Sequence, residues 1–417
     1  MTDAGPAPLT PRALERRVKR WLLGSPFDCF IQCPVGLEDV LAEELRDLDI
    51  GSVDDREVGG VSARLTAVQI ARANLELRTA TRVLLRLGEF YAGSSEALFD
   101  HVRHVPWEVQ LGSKGEYRLN VTSRLSALQA GDGVMRTISL GIGRRLTELG
   151  GAASLAANED RPDVPEFSFR FHNDRCYVSL NTSGEPLHRR GVRRHIGAAP
   201  LRESIAAAMV LTAYSGHSVV LDPFCGSGTV LIEASDLING RLPGRGRDFY
   251  LKHAPWFRPG MWNEALRRAE TARRPAANAQ LIGCDIDPSA LRAAASNLAS
   301  SPDYQGIELQ RRDSSKIDLD AFLPSGAPER GLLVSNLPYG VRIADRSGAA
   351  EVITAFLNRC ETAAKPWDFV FLTQHPGLFR GRQRTRVTSE TALNSGGLRV
   401  QMISGTIGGT DGGTGAT

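Results

Sequence analysis

The chain has 417 residues, of which 42% are hydrophobic and 23% charged. That length gives two or three domains with a substantial core, and no stretch approaches the ~18 consecutive apolar residues of a membrane span. Fifty basic side chains against forty-seven acidic ones leave a formal charge of +3, so overall charge does not argue for nucleic acid and any RNA surface must come from local clustering.

Residues 1–26 open with Pro, Ala and Gly and then turn basic at Arg12, Arg16, Arg17, Lys19 and Arg20. They read as an extension, disordered or briefly helical, with a phosphate-contacting arm as the second reading. Nothing there resembles a secretory signal, and the chain is expected in the cytoplasm. Phe27 to Gln32 reads as a strand. Leu37, Val40, Leu41, Leu45 and Leu48 then fall on one helical face. Thr66 to Leu77 has a second helical pattern, and Val83, Leu85 and Leu87 alternate as in a strand. Ser94-Ser95 can cap a helix, Tyr117, Leu119 and Val121 alternate, and Asp132 to Leu149 reads as helix. Phe167–Phe171 and Cys176–Leu180 form a hairpin pattern around His172-Asn173-Asp174. Residues 27–183 are therefore an α+β region.

The connector from Gly184 to Pro200 carries four arginines, Arg189, Arg190, Arg193 and Arg194. Two readings stand side by side: a solvated linker, and a contact to an RNA backbone. Beyond it strands alternate with helices, the signature of a parallel, doubly wound sheet. The strands are Val219–Leu221, Leu281–Cys284, Ile307–Gln310, Leu332–Val334, Phe369–Leu372 and a last alternating one at Leu398, Val400 and Met402. The Gly/Thr-rich residues 404–417 are expected to be disordered. The six cysteines, Cys29, Cys33, Cys176, Cys225, Cys284 and Cys360, include no C-x-x-C pair, so they read as free thiols and no metal is expected.

Chemistry gathers at the ends of these strands. Asp222-Pro223-Phe224-Cys225-Gly226-Ser227-Gly228-Thr229 follows one strand and opens a helix. Its glycines allow a sharp turn and close approach to a ligand, yet it lacks a P-loop's Gly-Lys-Ser/Thr and the third glycine of a dinucleotide fingerprint. Asp222 suits a cation, such as the ammonium or sulfonium of S-adenosylmethionine. Asp285 closes the next strand, where an acid accepts from both ribose hydroxyls, and Asp313 follows the third, within reach of an adenine amine. Phe224, Thr229, Ile286, Ser314 and Asn336 complete the candidate cofactor set. Asn336-Leu337-Pro338-Tyr339 ends the fourth strand. Two acceptors there, the Asn336 side-chain oxygen and a backbone carbonyl, can take both N–H groups of an exocyclic amine. Pro338 stiffens the loop, and Tyr339 offers a flat face to an unstacked base. A surface turn is the bland alternative.

These segments resemble the THUMP-domain RNA guanine-N2 methyltransferases. Asp222 to Thr229 with Ile232-Glu233-Ala234 looks like their first motif. Asn181-Thr182-Ser183-Gly184, Leu187-His188-Arg189-Arg190-Gly191 and Ala199-Pro200-Leu201-Arg202-Glu203 resemble the stretch before their catalytic domain. Gly36-Leu37-Glu38 with Glu43-Glu44-Leu45, and Leu77 to Val83, resemble their N-terminal region. The resemblance implies a ferredoxin-like and THUMP RNA-binding region over 27–183. It also implies a Rossmann-like class I methyltransferase over 184–403, with a seven-stranded sheet whose last strand is antiparallel. It implies S-adenosyl-L-methionine as cofactor and N2-methylguanosine as product, in 23S rRNA ahead of tRNA, with no membrane and no obligate protein partner. Many members have two prolines after the Asn, where this chain has Leu337. An adenine-N6 methyltransferase of DNA or RNA uses a similar loop, and a non-catalytic RNA-binding protein is the third reading.

Overall fold

The computed structural model of the chain describes residues 9–157, 161–191, 201–272, 279–323, 330–339 and 343–409. They fall into two compact units. The first comprises Met1–Gln32, Ala42–Leu187 and Gly246–Thr271, and the second Cys33–Leu41, His188–Arg245 and Ala272–Thr417. The sequence suggested a single break near residue 184. The structure instead assigns 246–271 to the first unit and 33–41 to the second.

The first unit contains α1 (Pro11–Leu22), β1 (Phe27–Gln32), α2 (Glu38–Asp47, begun in the second unit's segment), β2 (Ser52–Glu57), β3 (Gly60–Leu65), α3 (Ala67–Glu76), β4 (Arg82–Tyr91), α4 (Ser95–Val102), α5 (Trp107–Leu111), β5 (Lys114–Arg124), α6 (Asp132–Glu148), β6 (Ala152–Leu155), β7 (Glu166–His172) and β8 (Arg175–Asn181). Its strands form one sheet in the order β2-β3-β1-β4-β8-β7-β5-β6. The β-α-β-β-α-β succession of β1 to β4, with β1 central, is ferredoxin-like. Thr66 and Gln69 close a capping box on α3, and Ser94 caps α4. Phe167, Phe169 and Phe171 alternate into the core, where Trp107 meets Phe167 edge-on at 4.9 Å.

Of the two readings of the N-terminal extension, residues 11–22 take the helical one: Thr10 caps α1, Pro11 starts it, and Trp21 stacks on Phe27 at 4.3 Å. Arg17 pairs with the buried Glu108 at 2.5 Å, so that arginine is held by protein. Residues 1–8 lie outside the described residues. β2 carried no strand signal because Asp54-Asp55-Arg56-Glu57 is wholly charged. β2 is an edge strand, which tolerates charge and loses hydrophobic alternation.

The second unit follows with α7 (Glu203–Ala213), β9 (Val219–Asp222) and α8 (Thr229–Ile238). After α9 (Pro259–Ala272), which belongs almost wholly to the first unit, come β10 (Gln280–Asp285), α10 (Pro288–Leu298), β11 (Ile307–Arg311), β12 (Gly331–Asn336), α11 (Ile343–Cys360), β13 (Pro366–Thr373), β14 (Thr385–Ser395) and β15 (Leu398–Gly408). The sheet order is β11-β10-β9-β12-β13-β15-β14, and β15 runs antiparallel to β13. Chain order reverses between β9 and β12, which makes their carboxyl ends the switch point where such sheets bind ligands. Beneath lies a core of Leu221, Leu333, Phe356, Trp367, Phe369 and Phe371.

The tail is shorter than expected. Residues 404–408 continue β15, from Ser404 opposite Val370 to Gly408 opposite Pro366. Small residues suit this place: a Cβ at Gly405 would meet the Arg386 carbonyl oxygen at 2.0 Å, beside the bulge of β14. Residues 410–417 lie outside the described residues. No helix among the described residues is long and apolar enough to cross a membrane, and all six cysteines are free and buried.

Candidate active site

The loop after β9 is held open by backbone geometry. Gly226 and Gly228 take φ of +52° and +82°, the left-handed region that favours glycine. The Cys225 N–H donates to the Cys284 carbonyl at 2.9 Å, and Asn297 of α10 donates to the Ser227 carbonyl at 3.0 Å. A Cβ on Gly226 would meet nothing within 4 Å, so the loop faces open space. Its back is tight: a Cβ on Gly283 would lie 2.5 Å from Leu231 Cδ1 and 3.1 Å from Cys225 Cβ.

Three carboxylates surround this space. Asp222, at the end of β9, is 1% exposed. Its Oδ1 accepts from the Ser335 hydroxyl at 2.6 Å and the Phe224 N–H at 3.2 Å, and its Oδ2 has no partner among the described residues. Burial pushes its pKa up to about 7, and nearby Asp285 adds to the rise while the two donors oppose it. Asp285, half-buried at the end of β10, accepts from the Gly226 N–H at 3.0 Å and the Asp287 N–H at 2.9 Å, one on each oxygen. Ile286 beside it is 60% exposed. Asp313, just past β11, takes both the N–H and hydroxyl of Ser315, and those bonds hold its carboxyl below the usual range. Ser314 next to it is buried, as are Thr229 at the first position of α8 and the Gly228 before it; Phe224 is half-buried and meets Phe356 edge-on at 5.2 Å.

The fourth strand brings the other half of the site to the same edge. Asn336 ends β12, paired with Leu372 of β13, and is half-buried with Pro338 and Tyr339. The Tyr339 hydroxyl donates to Asn336 Oδ1, and burial raises the Tyr339 pKa. Leu337 differs from its neighbours. It is 0% exposed, within the core cluster of Phe356, Phe371 and Phe379, and its N–H donates to the Leu372 carbonyl at 3.0 Å. Its side chain belongs to the core, which leaves its carbonyl, the acceptor expected from the sequence, as the part of Leu337 that can meet a substrate.

Of the four arginines of the connector, Arg189 is exposed. Arg190 is 7% exposed and donates from Nε to Glu233 of α8 at 2.7 Å. It is a buried ion-pair partner rather than the RNA contact the sequence suggested. Arg193 and Arg194 lie outside the described residues. One member of the site was missed: Ser335, whose bond to Asp222 joins residues 113 apart in the chain. Its only signal was its place immediately before Asn336.

A doubly wound seven-stranded sheet with a reversed last strand, and carboxylates just past three successive strands, define a class I methyltransferase fold. Residues 190–402, just over half the chain, match the RMKL-like methyltransferase domain, and residues 28–84 match the RlmL ferredoxin-like domain. The chain therefore belongs to the RMKL-like methyltransferase family, whose class uses S-adenosylmethionine. Among relatives, YpsC of Bacillus subtilis is 29% identical over 368 residues, 88% of this chain and 92% of that protein. The ribosomal RNA large subunit methyltransferase K/L of Methylococcus capsulatus is 31% identical over 359 residues, 83% of this chain and 47% of the relative. The chain thus spans about half the length of the K/L proteins it matches. Among solved structures, SMU.472 complexed with SAH aligns over 92% of this chain and 98% of its own, with TM-score 0.76 and 25% identity. A methylase from Clostridium difficile aligns over 93% of this chain and 100% of its own, with TM-score 0.80 and 24% identity, a likeness of fold.

Proposed function

We propose that the chain transfers a methyl group from S-adenosylmethionine to the exocyclic N2 of a guanosine in RNA, with 23S rRNA favoured over tRNA. The observation that carries this is the convergence of Asn336 and the three carboxylates on one sheet edge, with Ser335 bonded to Asp222 at 2.6 Å. The named K/L relatives are ribosomal RNA methyltransferases, which supports the substrate class, and the SAH bound by SMU.472 supports the donor.

The residues present suit that donor. The buried Asp222, whose Oδ2 has no partner among the described residues, can complement an ammonium or sulfonium. Asp285 carries one backbone donor on each oxygen and keeps lone pairs for ribose hydroxyls. Exposed Ile286 can cover an adenine face, Asp313 with Ser314 can meet its amine edge, and the glycines let the backbone approach. When bound, the donor supplies an electrophilic methyl, so the protein's part is mostly alignment.

Asn336 Oδ1 and the Leu337 carbonyl are the acceptors for the amine. Accepting its two N–H groups turns the N2 lone pair out of the ring plane towards the methyl carbon. The N–C bond forms as the C–S bond breaks, its electron pair leaving with sulfur and the surplus N2 proton passing to water. Asn336 Oδ1 accepts from the Tyr339 hydroxyl and keeps a second lone pair for the amine, and the Tyr339 ring offers a face on which the base can stack. The first unit, with a THUMP-type region after its ferredoxin-like half, is the part we assign to gripping RNA, and the cytoplasm is where such RNA is met.

Mass spectrometry of nucleosides in rRNA and tRNA fractions, with and without the protein, tests this. Loss of N2-methylguanosine from one fraction supports it; methyl transfer to DNA alone, or to adenine N6, refutes it.

A further inference from the structure

Ser335 lies on β12 one residue before the proposed base-binding Asn336, and its hydroxyl points sideways to the neighbouring strand. It is fully buried, and its hydroxyl donates to Asp222 Oδ1 at 2.6 Å. The two strands are in register up to Leu221 opposite Leu333, so Asp222 and Ser335 both lie just past the last pairs, at the switch point of the sheet. We propose that Ser335 is a positioning residue for the reaction: its hydroxyl holds Asp222 ionised and directs the carboxylate's other oxygen at the cationic methyl donor. This rests on the methyltransferase reading and extends it from the residues that would touch the ligands to one that acts through another.

The argument is one of desolvation. A buried carboxylate is costly to ionise unless donors face it. Asp222 has two, the Ser335 hydroxyl and the Phe224 N–H. Of the titratable groups around it, Asp285 at the end of β10 opposes ionisation, burial keeps the Cys225 and Cys284 thiols neutral, and Arg312, just past β11, acts on Cys284 from the other side. Half of the hydrogen bonding that keeps Asp222 charged therefore comes from the strand that carries the base site. A neutral Asp222 would present a proton to a cation and repel it.

The test is S335A in the full chain, with S-adenosylmethionine and S-adenosylhomocysteine as probes, titrated calorimetrically from about pH 6 to about pH 9. Loss of one hydrogen bond to a charged group is worth about tenfold, or about one pH unit of midpoint. Wild-type affinity should rise with pH through neutrality. In S335A it should be about tenfold weaker near neutrality and return to within about twofold by pH 9, with S335T, which keeps the hydroxyl, close to wild type. A loss of equal size at every pH, or no loss, overturns the proposal while leaving the methyltransferase reading intact. A wild-type chain that binds neither probe at any pH refutes that reading, and the proposal with it.

Discussion

Replacing Leu337 by proline is the sharpest test of how the base loop is held. The Leu337 N–H bonds the Leu372 carbonyl at 3.0 Å, and Leu372 is itself buried, so a proline leaves that oxygen without its donor. A buried group stripped of its partner costs about 1–3 kcal/mol. The Leu337 side chain is fully enclosed by an aromatic cluster. Full truncation to alanine costs about 2–5 kcal/mol, and the smaller loss to proline about 1–2 kcal/mol. The sum is roughly 2–5 kcal/mol. In a unit of about 200 residues, at roughly 2–4 °C per kcal/mol, that lowers the melting temperature by on the order of 10 °C. Thermal unfolding with and without S-adenosylhomocysteine measures it, because ligand shifts only the transition of the unit that binds it. L337A separates the two contributions, since it keeps the N–H. L337P should lose turnover more completely than L337A at temperatures where both are folded. If L337P melts within about 2 °C of wild type and methylates RNA at the wild-type rate, the N–H is not a tether and the argument fails.

Other outcomes follow from the same geometry. N336A should abolish methyl transfer while donor affinity by calorimetry stays within about threefold of wild type, since the backbone and the three carboxylates remain; unchanged activity would mean the base site is elsewhere. Asp222 titrates from about 7 in the folded chain against a reference of 3.8, so the folded state holds a proton that the unfolded state gives up across that window. Its ionisation therefore weakens the fold progressively from about pH 4 to pH 7, at most by roughly 4 kcal/mol above it. D222N should accordingly melt higher than wild type at about pH 8 yet bind the donor poorly, and a lower melting temperature at that pH would count against the assignment. R190A removes a buried guanidinium from Glu233 and should cost about 3–5 kcal/mol in melting experiments, whereas R189A, on an exposed side chain, should cost less than about 1 kcal/mol and raise the KM for RNA a few-fold, more at low salt. Equal effects of the two on stability would contradict the burial difference.

Hydrophobic periodicity was enough to place most helices, the parallel strands and the carboxyl-edge order of Asp222, Asp285, Asp313 and Asn336, because each is set by residues close in the chain. Thr66 and Ser94 announced their helices for the same reason: a cap bonds within three residues. What escaped depends on neighbours distant in sequence. β2 and β14 are edge strands whose polar faces erase alternation. Residues 404–408 look like a flexible tail until β13 pairs with them. Arg190 carries the same letter as Arg189, yet Glu233, 43 residues away, buries one of them while the other faces water. Nothing local marks the Leu337 side chain as core; the end of β13 and α11 together make it so. The sequence by itself determined the chemistry, since carboxylates, glycines and an Asn at strand ends are local facts. Only the tertiary structure decided which of those groups are buried, which are bonded, and that a serine beside Asn336 grips the acid of another strand, because burial and pairing are properties of the packed chain.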